Sequence, residues 1–291
     1  LRQLFDDGCI EMITCGATHG YYALLGDDRS IKLQMRAGNE NFRKHFGRLP
    51  RGAWSPECSY RPAYPWQTLL PIGIFHEPQP RAGVEQLLAE HGMQFFFVDE
   101  HVTEQGNPLG VLANEDRHFT SVTSDQFEAR PWNFDRSPLS LYNVSSDEHT
   151  ERGTAVAFTR HSHIAMQVWS GESGYPGDPD YLDFHKKYHQ SAHRYWRVTD
   201  TKADMMYKMP YMPEWAQSRI DLHAHHFIRT VEVTLMDYYQ KSGKFGTLCT
   251  PFDTELFGHW WFEGPQFIKA VLRGLHSSPF VNAATAGEQL S

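Results

Sequence analysis

Short apolar runs and longer stretches of helical periodicity alternate along the chain. Five runs are bounded by turn or polar residues, which is typical of strands. They comprise residues 10–20, where a strand leads to a turn of small residues, the segment from Gly52 to Glu57, and residues 93–98, 153–160 and 245–249. The last run is continuously apolar apart from one threonine, so it is predicted as a short buried strand.

Apolar residues at helical spacing mark the segments between these runs. Four helices are predicted, over residues 30–46, 83–92, 213–241 and 267–275. The first is weakened in its middle by Gly38 and Asn39. The third has Pro213 at its start and Gly243 just past its end, which is the usual placement of these two residues around a helix.

Alternation of strands and helices favours an α/β fold with a barrel architecture. Residues 63–149 differ from the rest of the chain in composition, because they are rich in proline and mix polar with apolar residues. We predict them as an inserted small α/β subdomain. The barrel would then consist of residues 1–62 and 150–291, with the second part carrying the motif around Asp253.

Composition excludes several classes of function. The net charge is −8 with no cluster of Lys and Arg, which argues against a nucleic-acid partner and favours a neutral one. No apolar run is long enough to span a membrane, and the first residues lack the apolar centre of a signal peptide, so a cytoplasmic location is expected. The four cysteines lack the spacing of a zinc ribbon or a disulfide framework.

Two acidic residues lie where predicted strands end. Glu57 follows the apolar segment from Gly52, and Asp253 follows the run 245–249. A pair of carboxylates on strand-end loops, beside aromatic rings, is typical of barrel enzymes that cleave glycosidic bonds. Glu255 and Glu263 lie further along, where an acid more often caps a helix or faces solvent. We therefore predict Glu57 and Asp253 as the catalytic pair.

Two long strings resemble a known family. Residues 54–62 read Trp-Ser-Pro-Glu-Cys-Ser-Tyr-Arg-Pro, and residues 251–261 read Pro-Phe-Asp-Thr-Glu-Leu-Phe-Gly-His-Trp-Trp. They resemble the nucleophile and acid/base motifs of glycoside hydrolase family 57, most closely its α-1,4-glucan branching enzymes. The resemblance implies an incomplete (β/α)7-type barrel in which Glu57 is the nucleophile of a retaining mechanism and Asp253 the acid/base. A His-x-His-x-Pro segment and a helical C-terminal region of that family are expected to be missing from this chain.

The same resemblance implies four substrate contacts. His19, in a Thr-His-Gly string, would line the subsite of the cleaved glucose; Arg160 and the backbone at Gly177 would contact substrate, and Trp169 would lie near the site. The alternatives are a structural histidine, a surface ion pair, a glycine needed only for positive φ, and a packed aromatic ring. Tyr142 is a further, weaker candidate for a tyrosine that a mobile loop contributes in relatives.

The implied activity is transfer of an α-1,4-glucan chain to a 6-hydroxyl, which is branching. Alternatives within the family are an α-amylase or a 4-α-glucanotransferase, and a truncated glucan-binding remnant without catalysis is an alternative of another class. A metal-dependent hydrolase would need the histidines at 161, 163, 223, 225 and 226 as ligands. Their spacing does not match the His-Glu-x-x-His pattern, so we predict no metal and no cofactor, and a solvated helix face for the last three.

Overall fold

The computed structural model describes residues 1–66, 77–103, 111–112, 119–120, 136–146 and 155–290. Six α-helices lie in these ranges: α1 Arg2–Asp6, α2 Asp28–Phe46, α3 Val84–Glu90, α4 Ser162–Trp169, α5 Pro213–Ser242 and α6 Gly264–His276. The strands are β1 Thr14–Cys15, β2 Gly52–Trp54, β3 Tyr64–Trp66, β4 Gln79–Arg81, β5 Phe95–Val98, β6 Val111–Leu112, β7 Phe119–Thr120, β8 Tyr142–Val144 and β9 Ala155–Thr159. None of these helices combines the length and the apolar character needed to cross a membrane.

A five-stranded sheet organises the fold, with the strand order β1-β2-β5-β9-β8. The first four strands are parallel and β8 pairs antiparallel with β9. Two antiparallel pairs, β3 with β4 and β6 with β7, lie outside this sheet. The predicted α/β class with a parallel sheet is confirmed. Within the described ranges, no strand pairing closes the sheet between β1 and β8, so the barrel stays a prediction.

The four predicted helices are confirmed as α2, α3, α5 and α6. Asp27 caps α2 by accepting a hydrogen bond from the Arg29 amide at 2.7 Å. Gly38, which weakened the prediction, is required by packing, because a Cβ there would overlap the carbonyl oxygen of Cys15 on β1. Asn39 donates to the His91 carbonyl at 2.9 Å, and so ties α2 to the end of α3.

The structure places two parts of the predicted insertion in the central sheet. Strand β5 lies between β2 and β9, and β8 forms the sheet edge, although both fall within residues 63–149. Strand β5, packed on both sides by other strands, belongs to the core that supports the site. The division of the chain into three segments stays a prediction.

The predicted strand over 245–249 is wrong. Phe245 is 91% exposed, and the segment has no regular strand. Only Cys249 joins the sheet, through a single parallel bridge to Arg160. Its carbonyl accepts a hydrogen bond from the His161 amide at 2.9 Å.

Two apolar cores flank this junction. The first lies between the sheet and α2 and α3, and includes Ile31, Met35, Leu87 and Phe96. The second joins α4, α5 and α6 around Trp261. One contact connects distant parts of the chain: the Glu11 carboxylate accepts a hydrogen bond from the Gly287 amide at 2.7 Å, across 276 positions.

Candidate active site

The first candidate catalytic residue lies on a strained turn. Strand β2 ends at Trp54, and a single 3-10 turn, Pro56–Cys58, follows. Glu57 has φ 57° and ψ 32°, and Cys58 has φ 54°. This left-handed region costs a residue with a Cβ roughly 1–2 kcal/mol, and such strain concentrates at functional sites. The turn buries the Cys58 thiol and leaves the Glu57 side chain 70% exposed.

His19 is in direct contact with Glu57. Its Nε2 lies 3.0 Å from the Glu57 Oε1, and its own backbone is left-handed, with φ 55°. The parallel pairing of β1 with β2 aligns Cys15 with Trp54, which brings the two turns that follow side by side. Two residues predicted separately for the site are therefore neighbours. The His19 ring is half exposed and faces the carboxylate, and its role as a substrate contact stays a prediction.

Arg160 reaches beneath the Glu57 turn from the end of β9. Its Nη2 lies 3.7 Å from the Cys58 Sγ, and its Nε lies 3.3 Å from the Asp99 Oδ1. The contact with Asp99 is an ion pair without an aligned hydrogen bond, because the Nε–H has no hydrogen-bond acceptor. Arg160 therefore forms an ion pair with Asp99 and also contacts the Glu57 turn. The prediction missed Asp99, although it directly follows the apolar strand β5.

Burial sets the protonation of the thiols near this arginine. It raises the pKa of Cys58 to about 12, and it raises the pKa of Cys249 to about 12 as well. Both groups are therefore neutral thiols at physiological pH. Neither thiol therefore adds a negative charge near Arg160.

The second candidate catalytic residue lies four positions beyond the bridge at Cys249. Asp253 is exposed, and its carbonyl accepts a hydrogen bond from the Leu256 amide at 3.2 Å, which starts a 3-10 turn over Thr254–Leu256. Because Cys249 pairs with Arg160, the loop that carries Asp253 leaves the same edge of the sheet as the Glu57 turn. That Glu57 and Asp253 act as a pair stays a prediction.

The two neighbouring acids differ from each other. Glu255 is exposed, as predicted. Glu263 does not face solvent; it stands at the N-cap position of α6, which is the other expected setting, although its side chain makes no capping hydrogen bond. It is 1% exposed, and its Oε1 accepts a hydrogen bond from the Leu182 amide at 3.0 Å. Burial raises the pKa of Glu263. Tyr211, which packs against the second core, also hydrogen-bonds to this carboxyl group.

Two tryptophans form an aromatic surface beside the Asp253 loop. The rings of Trp169 and Trp260 have centroids 5.7 Å apart and are tilted by 57°. Their exposed fractions are 37% and 41%, so Trp169 is not simply a packed core aromatic. Trp260 was not among the predicted site residues, although it is part of the second motif.

Gly177 closes a 3-10 turn, Tyr175–Gly177, at the end of the α4 region. Positive φ does not explain this glycine, since its φ lies outside the left-handed region. A Cβ at this position would overlap the carbonyl oxygen of Gly171, so packing excludes other residues. The Tyr175 hydroxyl lies 2.7 Å from the His226 Nδ1, which fixes the turn on α5.

The predicted solvated face of α5 is wrong for His223. This ring is half-buried, its Nδ1 lies 2.9 Å from the Tyr181 hydroxyl, and its Nε2 lies 3.4 Å from the Asp178 Oδ2. Burial lowers the pKa of His223. Among the three histidines of α5, only His225 is exposed and lacks a hydrogen bond to a tyrosine hydroxyl. In the described part of the chain, no group of three or more His, Cys, Asp or Glu side chains is arranged to hold a metal ion.

Tyr142 lies on β8 and uses its hydroxyl locally. The hydroxyl accepts a hydrogen bond from the Ser137 amide at 2.7 Å and donates to the Ser137 carbonyl at 3.0 Å. Both bonds close the short loop before the strand. Tyr142 therefore has a structural role in this loop. Among the described residues between 63 and 149, no other tyrosine lies at Glu57.

The chain matches the model of glycosyl hydrolase family 57 over residues 1–243. It is 39% identical over 277 residues to a 1,4-alpha-glucan branching enzyme of Thermococcus kodakarensis, which covers 95% of this chain and 37% of the relative. The crystal structure of that relative, in complex with glucose, superposes with a TM-score of 0.82 at 37% identity. The superposition covers 100% of this chain and 48% of the relative's chain.

Two further structures show the same fold. A branching enzyme of Pyrococcus horikoshii gives a TM-score of 0.80 at 38% identity, over 99% of this chain and 46% of its own. The alpha-amylase AmyC of Thermotoga maritima gives 0.72 at 24% identity, over 99% of this chain and 50% of its own, which shows likeness of fold alone. The chain thus spans about half the length, or less, of the relatives it matches.

Proposed function

Because this chain belongs to glycosyl hydrolase family 57, we propose that it carries the catalytic centre of a 1,4-alpha-glucan branching enzyme. The observation that carries the proposal is the common sheet edge: the Glu57 turn, the Arg160 guanidinium and the Cys249 bridge to the Asp253 loop all meet there. The names of the relatives supply the substrate class, α-1,4-glucan.

In the first step the Glu57 carboxylate attacks C1 of a glucose unit and the bond from C1 to O4 breaks. Asp253 gives its proton to the departing oxygen, so the shortened chain leaves as an alcohol and the remainder is esterified to Glu57. In the second step Asp253 removes the proton of an acceptor 6-hydroxyl, whose oxygen attacks C1 and releases Glu57. Two inversions retain the α configuration and produce an α-1,6 branch.

The surrounding residues have distinct roles in this proposal. His19 donates its Nε2–H to the Glu57 carboxylate and lines the subsite of the cleaved glucose. Arg160 holds the turn below and contacts the sugar at the strand end. Trp169 and Trp260 present ring faces on which the apolar faces of glucose units stack. The backbone of Gly177 contributes a further contact at the rim.

Incubation of amylose with the protein tests the proposal, with the α-1,6 content of the product measured by proton NMR and by debranching. New α-1,6 linkages support it. Shorter linear chains with new reducing ends would make the protein an α-amylase, and redistributed linear lengths a 4-α-glucanotransferase. The 70% exposure of the Glu57 side chain favours hydrolysis as the second candidate, because water has access to the same centre. No change in the amylose would leave a glucan-binding role.

A second experiment tests the nucleophile itself. A slow fluorinated glucosyl fluoride traps the ester intermediate, and peptide mapping locates the label. We expect the label on Glu57 and none on the Glu57→Gln variant, because an amide oxygen is too weak a nucleophile to form the ester. Glu255→Gln is the matched control, since it removes another exposed acid and should leave labelling unchanged. A label on any other acid would remove Glu57 from this role.

A further inference from the structure

The imidazole of His19 lies between two side chains. Its Nε2 is 3.0 Å from the Glu57 Oε1, and its Nδ1 is 3.4 Å from the Cys15 Sγ. Cys15 is the last residue of β1, and the chain turns sharply between it and His19. Both ring nitrogens therefore have one partner each, and the location of the ring proton decides which of them donates.

A carboxylate can only accept hydrogen bonds. An ionised Glu57, which the nucleophile must be, requires the proton of a neutral His19 on Nε2. The bare Nδ1 then needs a donor, and the Cys15 thiol is in place to be that donor. Burial, with a smaller contribution from the Glu57 charge, raises the pKa of Cys15, so the sulfur keeps its hydrogen at neutral pH.

From this geometry we propose that Cys15 is a positioning residue: its S–H donates to the His19 Nδ1 and so holds the ring in the tautomer whose Nε2–H is directed at Glu57. The proposal rests on the proposed role of Glu57 as nucleophile. The two hydrogen bonds, from Cys15 to His19 and from His19 to Glu57, hold the ring without net transfer of a proton.

The turn that carries His19 does not depend on the thiol for its shape. The Thr18 amide donates to the Gln34 Oε1 at 2.8 Å, and the Gln34 Nε2 donates to the Thr18 Oγ1 at 2.8 Å. The Ala17 amide also donates to the Gln34 carbonyl at 3.2 Å. Removal of the Cys15 sulfur should therefore leave the backbone in place and affect mainly the ring proton.

Other titratable groups near the thiol are few among the residues described. Tyr22 packs against Gly16, next to Cys15, and burial raises its pKa above the ordinary phenol range. It stays neutral at physiological pH. His19 and Glu57 are the ionisable groups on neighbouring elements that act on the thiol, the first by contact and the second through its charge.

Nitrogen-15 NMR of the imidazole rings tests the tautomer directly, because Nε2–H and Nδ1–H rings differ strongly in their nitrogen shifts. The signals of His19 are identified among the 17 histidines by their loss in His19→Gln. We expect the Nε2–H form in the wild type and in Cys15→Ser, which keeps a donor, and a mixture in Cys15→Ala. Cys9→Ala, which removes an exposed thiol elsewhere, is the matched control. An unchanged tautomer in Cys15→Ala overturns the proposal.

The rate of labelling by the fluorinated glucosyl fluoride gives the catalytic readout. One hydrogen bond of ordinary strength corresponds to about a tenfold change, so Cys15→Ala should lower the labelling rate about tenfold with little change in KM. Cys15→Ser should recover the rate to within about threefold of wild type. Equal rates in wild type and Cys15→Ala would also overturn the proposal. If wild type takes no label, the proposed function fails, and the nitrogen shifts alone decide the role of Cys15.

Discussion

The Glu57 turn and the Asp253 loop lie at one edge of the sheet but are supported in different ways. Glu57 follows β2, which is paired on both sides by β1 and β5, and the turn itself is held in a left-handed conformation over an apolar core. Asp253 follows a segment with one bridge to the sheet. Beneath its loop lie the buried Trp261 and Glu263.

The difference shows two ways to fix a carboxylate. The position of Glu57 is determined by backbone pairing and backbone strain, whereas the position of Asp253 depends on side chains packed under a loop. A nucleophile must be held at one distance from the anomeric carbon, and a paired strand achieves that. An acid/base serves a leaving oxygen in one step and an incoming hydroxyl in the next, and a loop on a packed base allows small adjustments.

The largest effect is expected from Asp253→Asn. Turnover of amylose should fall by about 10²–10⁴-fold, because the leaving oxygen loses its proton donor, while the fluoride leaving group of a glucosyl fluoride should make the loss much smaller. Glu255→Gln is the control for an exposed acid in the same loop. Equal losses on both substrates, or a crystal structure with the two carboxylates more than about 9 Å apart, would contradict the role of Asp253.

Removal of the base of the Asp253 loop should have the next largest effect. Trp261 is 1% exposed, and its ring centroid lies 4.9 Å from that of Phe267. Trp261→Ala should lower the free energy of unfolding by about 3–5 kcal/mol in urea denaturation, through lost burial and a cavity. Trp260→Ala, at a 41% exposed ring, should cost less than about 1 kcal/mol and weaken glucan binding instead. Similar destabilisation by both would refute this division between support and surface.

Glycine and alanine substitutions compare the two backbones directly. At Glu57, with φ 57°, the Gly variant should be more stable than the Ala variant by about 1 kcal/mol, because glycine has no Cβ strain there. At Asp253, with φ −68°, the order should reverse by about 0.5–1 kcal/mol, because glycine gains entropy in the unfolded chain. The measurement is the urea midpoint of the four variants. The same sign at both positions would rule out backbone strain as the support of Glu57.

The smallest effect concerns the pH dependence of stability. Burial raises the pKa of Glu263 above its ordinary value of 4.5, so the folded state binds the proton more tightly than the unfolded state. Stability from this group is present below 4.5 and is lost as the pH rises through the folded pKa. Glu263→Gln cannot titrate and should show a flatter fall of the melting temperature over that window. Glu255→Gln should retain the wild-type slope, and an unchanged slope in Glu263→Gln would contradict the assignment.

Helices and strand ends could be predicted from the sequence because they depend on local periodicity. The run 245–249 misled the prediction because β8 already pairs with residues 155–157 of β9, and Cys249 adds only a single bridge beyond them, at Arg160. Burial of Glu263 depends on Leu182, 81 positions away, and no local pattern reports it. The left-handed turn at Glu57 has no glycine or asparagine to signal it. The motif predicted the catalytic role of Glu57, whereas the backbone geometry of its turn is seen only in the folded structure.

The contact between Glu11 and Gly287 has a consequence for the kinetics of folding. It spans 276 positions, so its formation requires closure of nearly the whole chain, and the entropy of that closure is recovered only after both cores exist. We therefore expect the contact to form after the rate-limiting barrier. Its loss should accelerate unfolding and leave the folding rate nearly unchanged. Glu11 should therefore lengthen the lifetime of the native state, because its contact forms last during folding and breaks first during unfolding.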